Sequence, residues 1–422
     1  MSTSRRAITW PGPSRWPDWG SVPETNPRYT ESACLDRGEV HLSAEPPFTV
    51  GIEEEYLLVN LDTRDVNENP PPALLRECTE RGGSQISPEF LRSQLEVSTR
   101  PCRTIAELRA DLARLRSIIV EVAGKYGLAP IAASTHPFGS ATRQMPTEKE
   151  QFFALAREMQ AAARRLMVCG MHVHVGIDDD DLRVDLMNQL SYFVPHLLAL
   201  SCSSPFWEGE RTGLMSFRCT LFSSLPRTGL ADRFSSYADL RRHLDMLIRN
   251  GVIENTTKMW WDIRPSPRYP TLEMRVMDCC TSIDDAMCLA ALVVCLARRL
   301  YRLRQENQSW RLYPNVLISE NRWRAMRYSF DEKLLDLARG ELVLFAQLAE
   351  ELIVLVKDDA EVLGCRREIE HIRAILARGS SAHRQISTFD AARTAGATQR
   401  EALQAVVDFL IRETAAGLEV NR

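Results

Sequence analysis

Hydrophobic and polar positions along this chain follow two periods, and the patterning sets in at Phe48. FTVGIEEEYLLVN (48–60) is rich in β-branched and aromatic residues and predicts a strand. SQLEVST (93–99), APIAAST (129–135), CGMHVHVGI (169–177) and PTLEMRVMD (270–278) predict further strands, the second of these four closed by His136-Pro137. The Asn-Pro-rich stretch 67–72 predicts a loop. Residues 104–126 repeat apolar positions at helical spacing and end near Gly124 and Gly127. Helical patterns recur at 149–167, 181–202, 239–250 and 284–304. From Glu332 to the end the pattern predicts helices only, broken near Gly379-Ser380-Ser381. Strands in the first two-thirds and helices in the last third predict an α+β fold rather than an alternating, doubly wound one. There is no internal repeat.

Residues 1–46 carry no apolar period and are punctuated by Trp10-Pro11, Trp16-Pro17 and Pro46-Pro47. They predict a flexible Pro/Trp-rich N-terminal extension whose Trp10, Trp16 and Trp19 could dock on the body or on a partner. The remainder, 47–422, is expected to be a single domain. The longest apolar stretch, 286–297, stops at Arg298-Arg299 and is too short to span a bilayer, so it predicts a core helix. The first residues have two arginines but no apolar run after them, so no secretory signal is expected. The 11 cysteines are scattered and include no C-x-x-C pair, which fits reduced thiols in a cytoplasmic protein. Apolar residues at 45% and charged residues at 26% are ordinary for a soluble globular chain. Lys plus Arg at 52 against Asp plus Glu at 56 gives a net charge of −4. That balance supplies no footprint for a nucleic-acid partner, and no membrane partner is expected.

Candidate chemistry lies on the strands. Residues i and i+2 of a strand share a face. Glu53 with Glu55, Gln94 with Glu96, His172 with His174, and Glu273 with Arg275 therefore each share one. Their neighbours Leu95, Val97, Met171, Val173, Val175, Leu272, Met274 and Val276 are apolar and belong on the opposite face. Carboxylates at this spacing repel unless cations or protons intervene. Oxygen-rich ligands suit magnesium, and an imidazole biases a site toward manganese. A solvated face of an antiparallel sheet would show the same alternation. His172 is favoured as a metal ligand, with His174 as a neighbour able to touch nucleotide or solvent. Gly170 and Gly176 flank the pair and permit close approach. Arg275 either pairs with carboxylates or grips a phosphate oxygen. Arg218, Arg264 and Arg268 are further candidates of the same two kinds. Cys169 is expected to be a buried small apolar residue. No Walker, dinucleotide-binding, zincin or nucleophile-elbow motif occurs.

GIEEEYLLV, EFLRSQLEVSTRPC, THPF, CGMHVHVGI, SSPFWEG, WWDIRPSPRYPTLEMRVMD and ENRWRAMRY, in this order over roughly 47–418, resemble the carboxylate–amine ligases of the glutamate–cysteine ligase type-2 family. The resemblance implies a curved, mainly antiparallel sheet with a glutamine synthetase-like catalytic face, helices packed behind it and a helical C-terminal third. It implies ATP-dependent amide formation through an acyl phosphate, with weak glutamate–cysteine ligase activity, and ATP with Mg2+ or Mn2+ as cofactors. By motif position it implies Glu53, Glu55, Glu89, Glu96, His172 and Glu273 as metal ligands. Arg275 is implied to steady the phosphoryl group, with Glu55 beside it as a catalytic residue. His174 and Arg218 complete the nucleotide-side expectation. Gln94, Thr135, His136, Arg264 and Arg384 are substrate-side candidates, Arg384 reaching in from a loop in GSSAHRQ (379–385). His136 could instead only pack, since Pro137 restricts it. Glu89 and Glu96 do not share strand parity, so one must sit on a loop or beyond a bulge. Partners are expected to be a small-molecule carboxylate and amine, and a second copy of the chain in a homodimer. A metal-dependent hydrolase and a non-catalytic nucleotide or metabolite binder on the same fold remain alternatives.

Overall fold

A computed structural model describes residues 45–418, and those from Pro46 onward belong to one compact unit. The expected extension, with Trp10, Trp16 and Trp19, lies outside the described residues except for its last two positions.

The site is organised by a seven-stranded sheet in which every pairing is antiparallel. Its strands are β1 (Val50–Asn60), β2 (Ile86–Pro88), β3 (Gln94–Ser98), β4 (Leu128–Ile131), β5 (Met171–Gly176), β6 (Ile263–Pro265) and β7 (Thr271–Met274). The order is β6-β7-β5-β1-β3-β2, with β4 paired to the second half of β1. One face presents Ile52, Tyr56, Leu95, Val97, Met171, Val173, Val175, Leu272 and Met274, all buried. The expected division of the strands into an apolar and a polar face therefore holds.

Two long helices cover the apolar face. Helix α1 (Ile105–Lys125) starts at Thr104, whose hydroxyl accepts the Glu107 N–H at 3.1 Å. It buries Leu108, Leu112, Leu115, Ile119 and Val122, the i, i+4, i+7 stripe that the sequence repeats. Helix α2 (Ile283–Gln305) contains the apolar run 286–297 and is buried almost all round, as a core helix must be. Both pack on β1, and α2 also on β5.

One charged pair runs through this apolar layer. Glu54, on the core face of β1, is fully buried and accepts two bonds from Arg116 of α1, Nε at 2.9 Å and Nη2 at 2.8 Å. Arg116 also donates to the carbonyls of Cys280 and Thr281, each at 2.9 Å. The pair ties β1 to α1 and to the segment that follows β7.

The C-terminal third is helical with one exception. A β-hairpin, Lys333–Asp336 with Glu341–Leu344, stands where helices alone were expected. Asp336 Oδ1 accepts the N–H groups of Ala338 and Arg339, and Gly340 takes φ +72°, so the turn chemistry overrides the leucine-rich pattern. The helix expected at 149–167 is shorter, Glu150–Met159, because Gln160 turns to φ +48°. The stretch 181–202 divides into Asp180–Leu190 and Val194–Ser201, with Pro195 in the first turn of the second helix. The break near Gly379 separates Arg366–Arg378 from Ser381–Thr394. All ten described cysteines are free and buried, Cys169 among them. No helix among the described residues is long and apolar enough to cross a membrane.

Candidate active site

The polar face collects its charged groups by register. Glu55 lies opposite Glu96, and Glu53 opposite His172. Glu273 lies between His174 on β5 and Arg264 on β6. Glu89 follows the last residue of β2 on the turn into β3, and its N–H bonds the Gln94 carbonyl. The parity mismatch between Glu89 and Glu96 is thus resolved by a loop, as expected.

The histidines and Glu53 form a tight group. His172 Nδ1 is 3.1 Å from Glu53 Oε2 and 4.0 Å from Glu273 Oε1. His174 Nε2 is 3.5 Å from Glu53 Oε1, while its Nδ1 meets Thr271 Oγ1 at 2.9 Å. Glu53, His174 and Glu273 each bring a ligand atom within 4.8 Å of the other two. The second histidine, read from sequence as a neighbour, therefore also lies against Glu53, somewhat farther from it than the first.

Three arginines frame the group. Arg264 Nε donates to Glu273 Oε2 at 2.9 Å, and Arg275 Nη1 bonds Glu273 Oε1 and lies 3.4 Å from His172 Nδ1. Arg218, on the helix Phe217–Phe222, donates to the carbonyls of Val276 and Arg275 at 3.2 Å each. Gly170 is required for this: a Cβ there would lie 2.4 Å from the Arg218 guanidinium.

The electrostatics divide the carboxylates into two sets. Burial opposes ionisation of Glu273, but Arg275 and Arg264 outweigh it and hold the group well below the usual carboxylate range. Burial likewise opposes Glu53, and the bonds from His172 and His174 outweigh it. His172 is pushed down to about 4 by burial and then by Arg275, so its imidazole is neutral near pH 7. The other set behaves oppositely. Burial, then the neighbouring Glu89, raises Glu55 to about 8. Burial raises Glu89, and burial with Glu89, Glu53 and Glu55 raises Glu96 well above the ordinary range. Glu55, Glu89 and Glu96 thus face one another without a bonded cation, and protons relieve the repulsion. This oxygen donor set fits a hard divalent cation. Arg275 Nε, buried on the same face, has no hydrogen-bond partner, which fits an anionic oxygen arriving there.

A cavity opens on either side of the Glu53–His172 contact. One, of about 260 Å3, is lined by Glu53, His174 and Thr99 with Pro47, Pro101 and Tyr269. The other, of about 120 Å3, is lined by Glu55, Glu89, Gln94, His172, Arg218 and Arg275 together with apolar residues that include Phe90, Leu225 and Trp260.

The remaining sequence candidates fall outside this group or on its edge. Gln94 lines the smaller cavity, but its amide is engaged by the Val168 carbonyl and the Leu91 N–H. Thr135 is buried and donates to the Phe206 carbonyl. His136 is fully buried: Nδ1 accepts the N–H groups of Phe138 and Gly139, and Nε2 meets the Arg64 carbonyl at 2.9 Å. Nδ1 shapes its own turn, and Nε2 ties that turn to the Arg64 backbone. Arg384 sits in the first turn of the helix Ser381–Thr394, not on a loop, and forks onto Glu413 over the Phe409 ring. Arg268 is exposed. Sequence reasoning passed over Trp260 and Tyr269, which wall the two cavities, and Asp278. The Asp278 carboxylate accepts from Ser203, Ser204 and Ser216 and lies 3.9 Å from Arg218.

Known proteins match this arrangement over most of the chain. The model of glutamate–cysteine ligase family 2 matches residues 49–408. A Rhodospirillum rubrum protein named "Putative glutamate–cysteine ligase 2" is 56% identical over 378 residues, which is 89% of this chain and 97% of that one. A Paracoccus denitrificans protein of the same name is 47% identical over 372 residues, covering 88% and 99%. Among solved structures, the glutamate–cysteine ligase of Francisella tularensis in complex with AMP aligns with a TM-score of 0.64 at 14% identity, over 88% of this chain and 90% of that one. The bifunctional glutathione synthetase of Pasteurella multocida aligns at 0.62 and 16% identity over 87% of this chain, which spans only 52% of that protein. These two likenesses speak for the fold. With the sheet, its acidic face and matches of this length, the chain belongs to glutamate–cysteine ligase family 2 and is an ATP-dependent, amide-forming ligase.

Proposed function

We propose that the chain joins a carboxylic acid to an amine through an acyl phosphate on the polar face of the sheet. The observation that carries this reading is the pair of cavities meeting at the Glu53–His172 contact, 3.1 Å across. ATP takes the larger one, its base against Pro47, Pro101 and Tyr269 and its phosphates toward His174 Nε2 and Glu53. The acid takes the smaller one, its carboxylate toward Arg218 and Arg275. Mg2+, or Mn2+ in its place, held by Glu53, Glu55, Glu89, Glu96, His172 and Glu273, with His174 adjacent, would neutralise the phosphate and carboxylate charges that meet there.

The acid's carboxylate oxygen attacks the γ-phosphorus, the bond to the β-phosphate oxygen breaks, and ADP leaves. The amine then attacks the acyl carbon, loses a proton, and phosphate leaves with one of the acid's oxygens. Arg275 supports the first step: Nη1 is anchored on Glu273, and the partnerless Nε can donate to a phosphoryl oxygen without reorganisation. Neutral His172 orients Glu53. Apolar walls exclude water, which would otherwise hydrolyse the acyl phosphate. Glutamate with cysteine is expected to be a weak substrate pair. The protein is expected to act in the cytoplasm as a homodimer, a reading supported by the buried free thiols and the family resemblance.

The test is ADP release with ATP and Mg2+ across a panel of acids and amines, with mass detection of products. A mass equal to acid plus amine minus water supports ligation. ADP that appears equally without any acid would point to nucleotide hydrolysis instead.

A further inference from the structure

One buried carboxylate has no part in the chemistry above. Asp278 lies shortly after β7, is fully buried and is not among the residues lining either cavity. Donors converge on it, as the burial of a carboxylate requires. Its Oδ2 accepts the Ser203 N–H at 2.9 Å and the Ser204 hydroxyl at 2.8 Å, and its Oδ1 accepts the Ser216 hydroxyl at 2.9 Å. Oδ1 also lies 3.9 Å from Arg218 Nη1. Burial raises this carboxyl above its ordinary value, and Arg218 and the three bonds act against that.

The same donors hold Arg218. Ser216 directly precedes the helix Phe217–Phe222 that carries it, and that helix, at 6 residues, is too short to be rigid by itself. Ser204 Oγ accepts the Arg218 N–H at 3.1 Å while giving its own proton to Asp278. The guanidinium lies over the Phe222 ring at 5.6 Å and donates to the carbonyls of Val276 and Arg275, just before Asp278 in the chain. A guanidinium has five N–H groups, so these two bonds leave others for the smaller cavity, which Arg218 lines. The serines are braced in turn. Gln385 Nε2 donates to the Ser203 carbonyl at 2.8 Å, and the Ala382 N–H bonds the Cys202 carbonyl at 2.9 Å. GSSAHRQ (379–385) is thus linked to Asp278 through Gln385 and Ser203.

We propose that Asp278 is the positioning residue for Arg218: it fixes the direction of the guanidinium into the smaller cavity and so sets the affinity for the acid's carboxylate. Asp278 itself touches no substrate. A guanidinium grips a carboxylate well only when its planar fork is aligned with it. Removing the Asp278 charge frees that fork to turn, and a misplacement of about 1 Å can cost as much as about 100-fold. The proposal rests on the ligase reading above and on its assignment of the acid to Arg218.

The experiment is a double-mutant cycle of Asp278→Asn and Arg218→Met in the full chain. Turnover is measured with ATP, Mg2+, L-glutamate and L-cysteine, and glutamate binding by calorimetry with ADP and Mg2+ present. Asp278→Asn is expected to raise KM and Kd for glutamate about 10-fold and to leave KM for ATP unchanged. Arg218→Met is expected to raise them at least as much, and Asp278→Asn added to it is expected to change them no further. Ser216→Ala keeps the charge, removes one donor and shifts glutamate binding the same way by less; it serves if Asp278→Asn folds poorly. A purely structural Asp278 would lower the amount of active protein and leave both KM values at wild type, which overturns the proposal. An equal rise in the Arg218→Met background would also overturn it and keep the ligase. Glutamate binding indifferent to Arg218→Met would overturn the assignment of the acid to Arg218, and the proposal with it. Binding that follows the cycle with no ADP released would overturn the ligase reading and keep the positioning role. A crystal structure of Asp278→Asn reads the geometry without any substrate: Arg218 is expected to leave the Val276 and Arg275 carbonyls, and an unmoved guanidinium overturns the proposal whichever acid is used.

Discussion

Arg116→Met perturbs the site without touching it. Arg116 is 1% exposed and Glu54 is 0% exposed, so neither charge is relieved by water when the other is removed. The substitution leaves Glu54 with the Tyr56 hydroxyl as its remaining side-chain partner and strips a donor from the Cys280 and Thr281 carbonyls. Removing one partner of a buried, bidentate pair costs about 3–5 kcal/mol. An unfolding entropy of about 2.1 cal/mol/K per residue over about 370 residues is about 0.8 kcal/mol/K, so Tm should fall by about 4–6 °C. Scanning calorimetry on the purified protein measures this. The double variant Glu54→Leu with Arg116→Met should recover most of the loss, because it buries no unpaired charge. Ligase activity should fall in Arg116→Met as well, since Glu54 lies between Glu53 and Glu55 and anchors the strand that carries both. A Tm within about 1 °C of wild type, the behaviour of an exposed pair, would refute the claim that this bridge holds β1 in register under the site.

Glu96→Gln should lower ligase activity at least about 100-fold while leaving Tm of the metal-free protein within about 1 °C, because the amide replaces a carboxyl that burial and its acidic neighbours already keep protonated there; a matching fall in Tm and activity would make Glu96 structural. Arg275→Lys should preserve ATP binding by calorimetry but lower kcat about 10-fold or more, since a point charge cannot keep Glu273 and a phosphoryl oxygen together; wild-type kcat would make Arg275 an ion-pair partner alone. Acid should destabilise the protein through its buried neutral histidines. His136 and His196 are each pushed down to about 4, chiefly by burial. The unfolded chain therefore takes up protons below pH 6.5 that the folded chain refuses until about pH 4, and stability present above pH 6.5 is lost as pH falls. Between pH 7 and 5 the loss is about 2 kcal/mol per histidine, and His196→Phe should flatten the denaturant-measured pH profile by that amount, an unchanged slope being the contrary result.

The polar face was legible because strand parity is local. Glu53, Glu55, Glu96, His172, His174 and Glu273 declare their shared side through i, i+2 spacing, and the register then brings them together. The same parity required one of Glu89 and Glu96 to lie on a loop or beyond a bulge, and the structure puts Glu89 on a loop. Glu54 was not legible. Parity alone assigns it to the core, and the partner that makes this tolerable, Arg116, lies 62 residues away on a helix. The hairpin at 333–344 was missed for a related reason: KLLD and ELVL read as helix until Asp336 and Gly340 are seen to close a turn. Arg384 and His136 show the limit of motif matching. Each sits in a segment that resembles the family, and in the unliganded chain Arg384 pairs with Glu413 while His136 bonds its own turn and the Arg64 carbonyl. Trp260 and Tyr269 lie in the stretch WWDIRPSPRYPTLEMRVMD that resembles the family, but strand parity gives them no role, because a cavity wall is assembled from residues far apart in sequence.

The most direct test of the central claim follows an oxygen atom. Amide synthesis is run with an accepted acid labelled with oxygen-18 at both carboxylate positions, and the released phosphate is analysed by mass. An acyl phosphate predicts ADP with inorganic phosphate carrying one labelled oxygen for each amide formed. Unlabelled phosphate, or AMP with pyrophosphate, would contradict it and remove the phosphoryl-transfer chemistry assigned to Arg275 and the acidic face of the sheet.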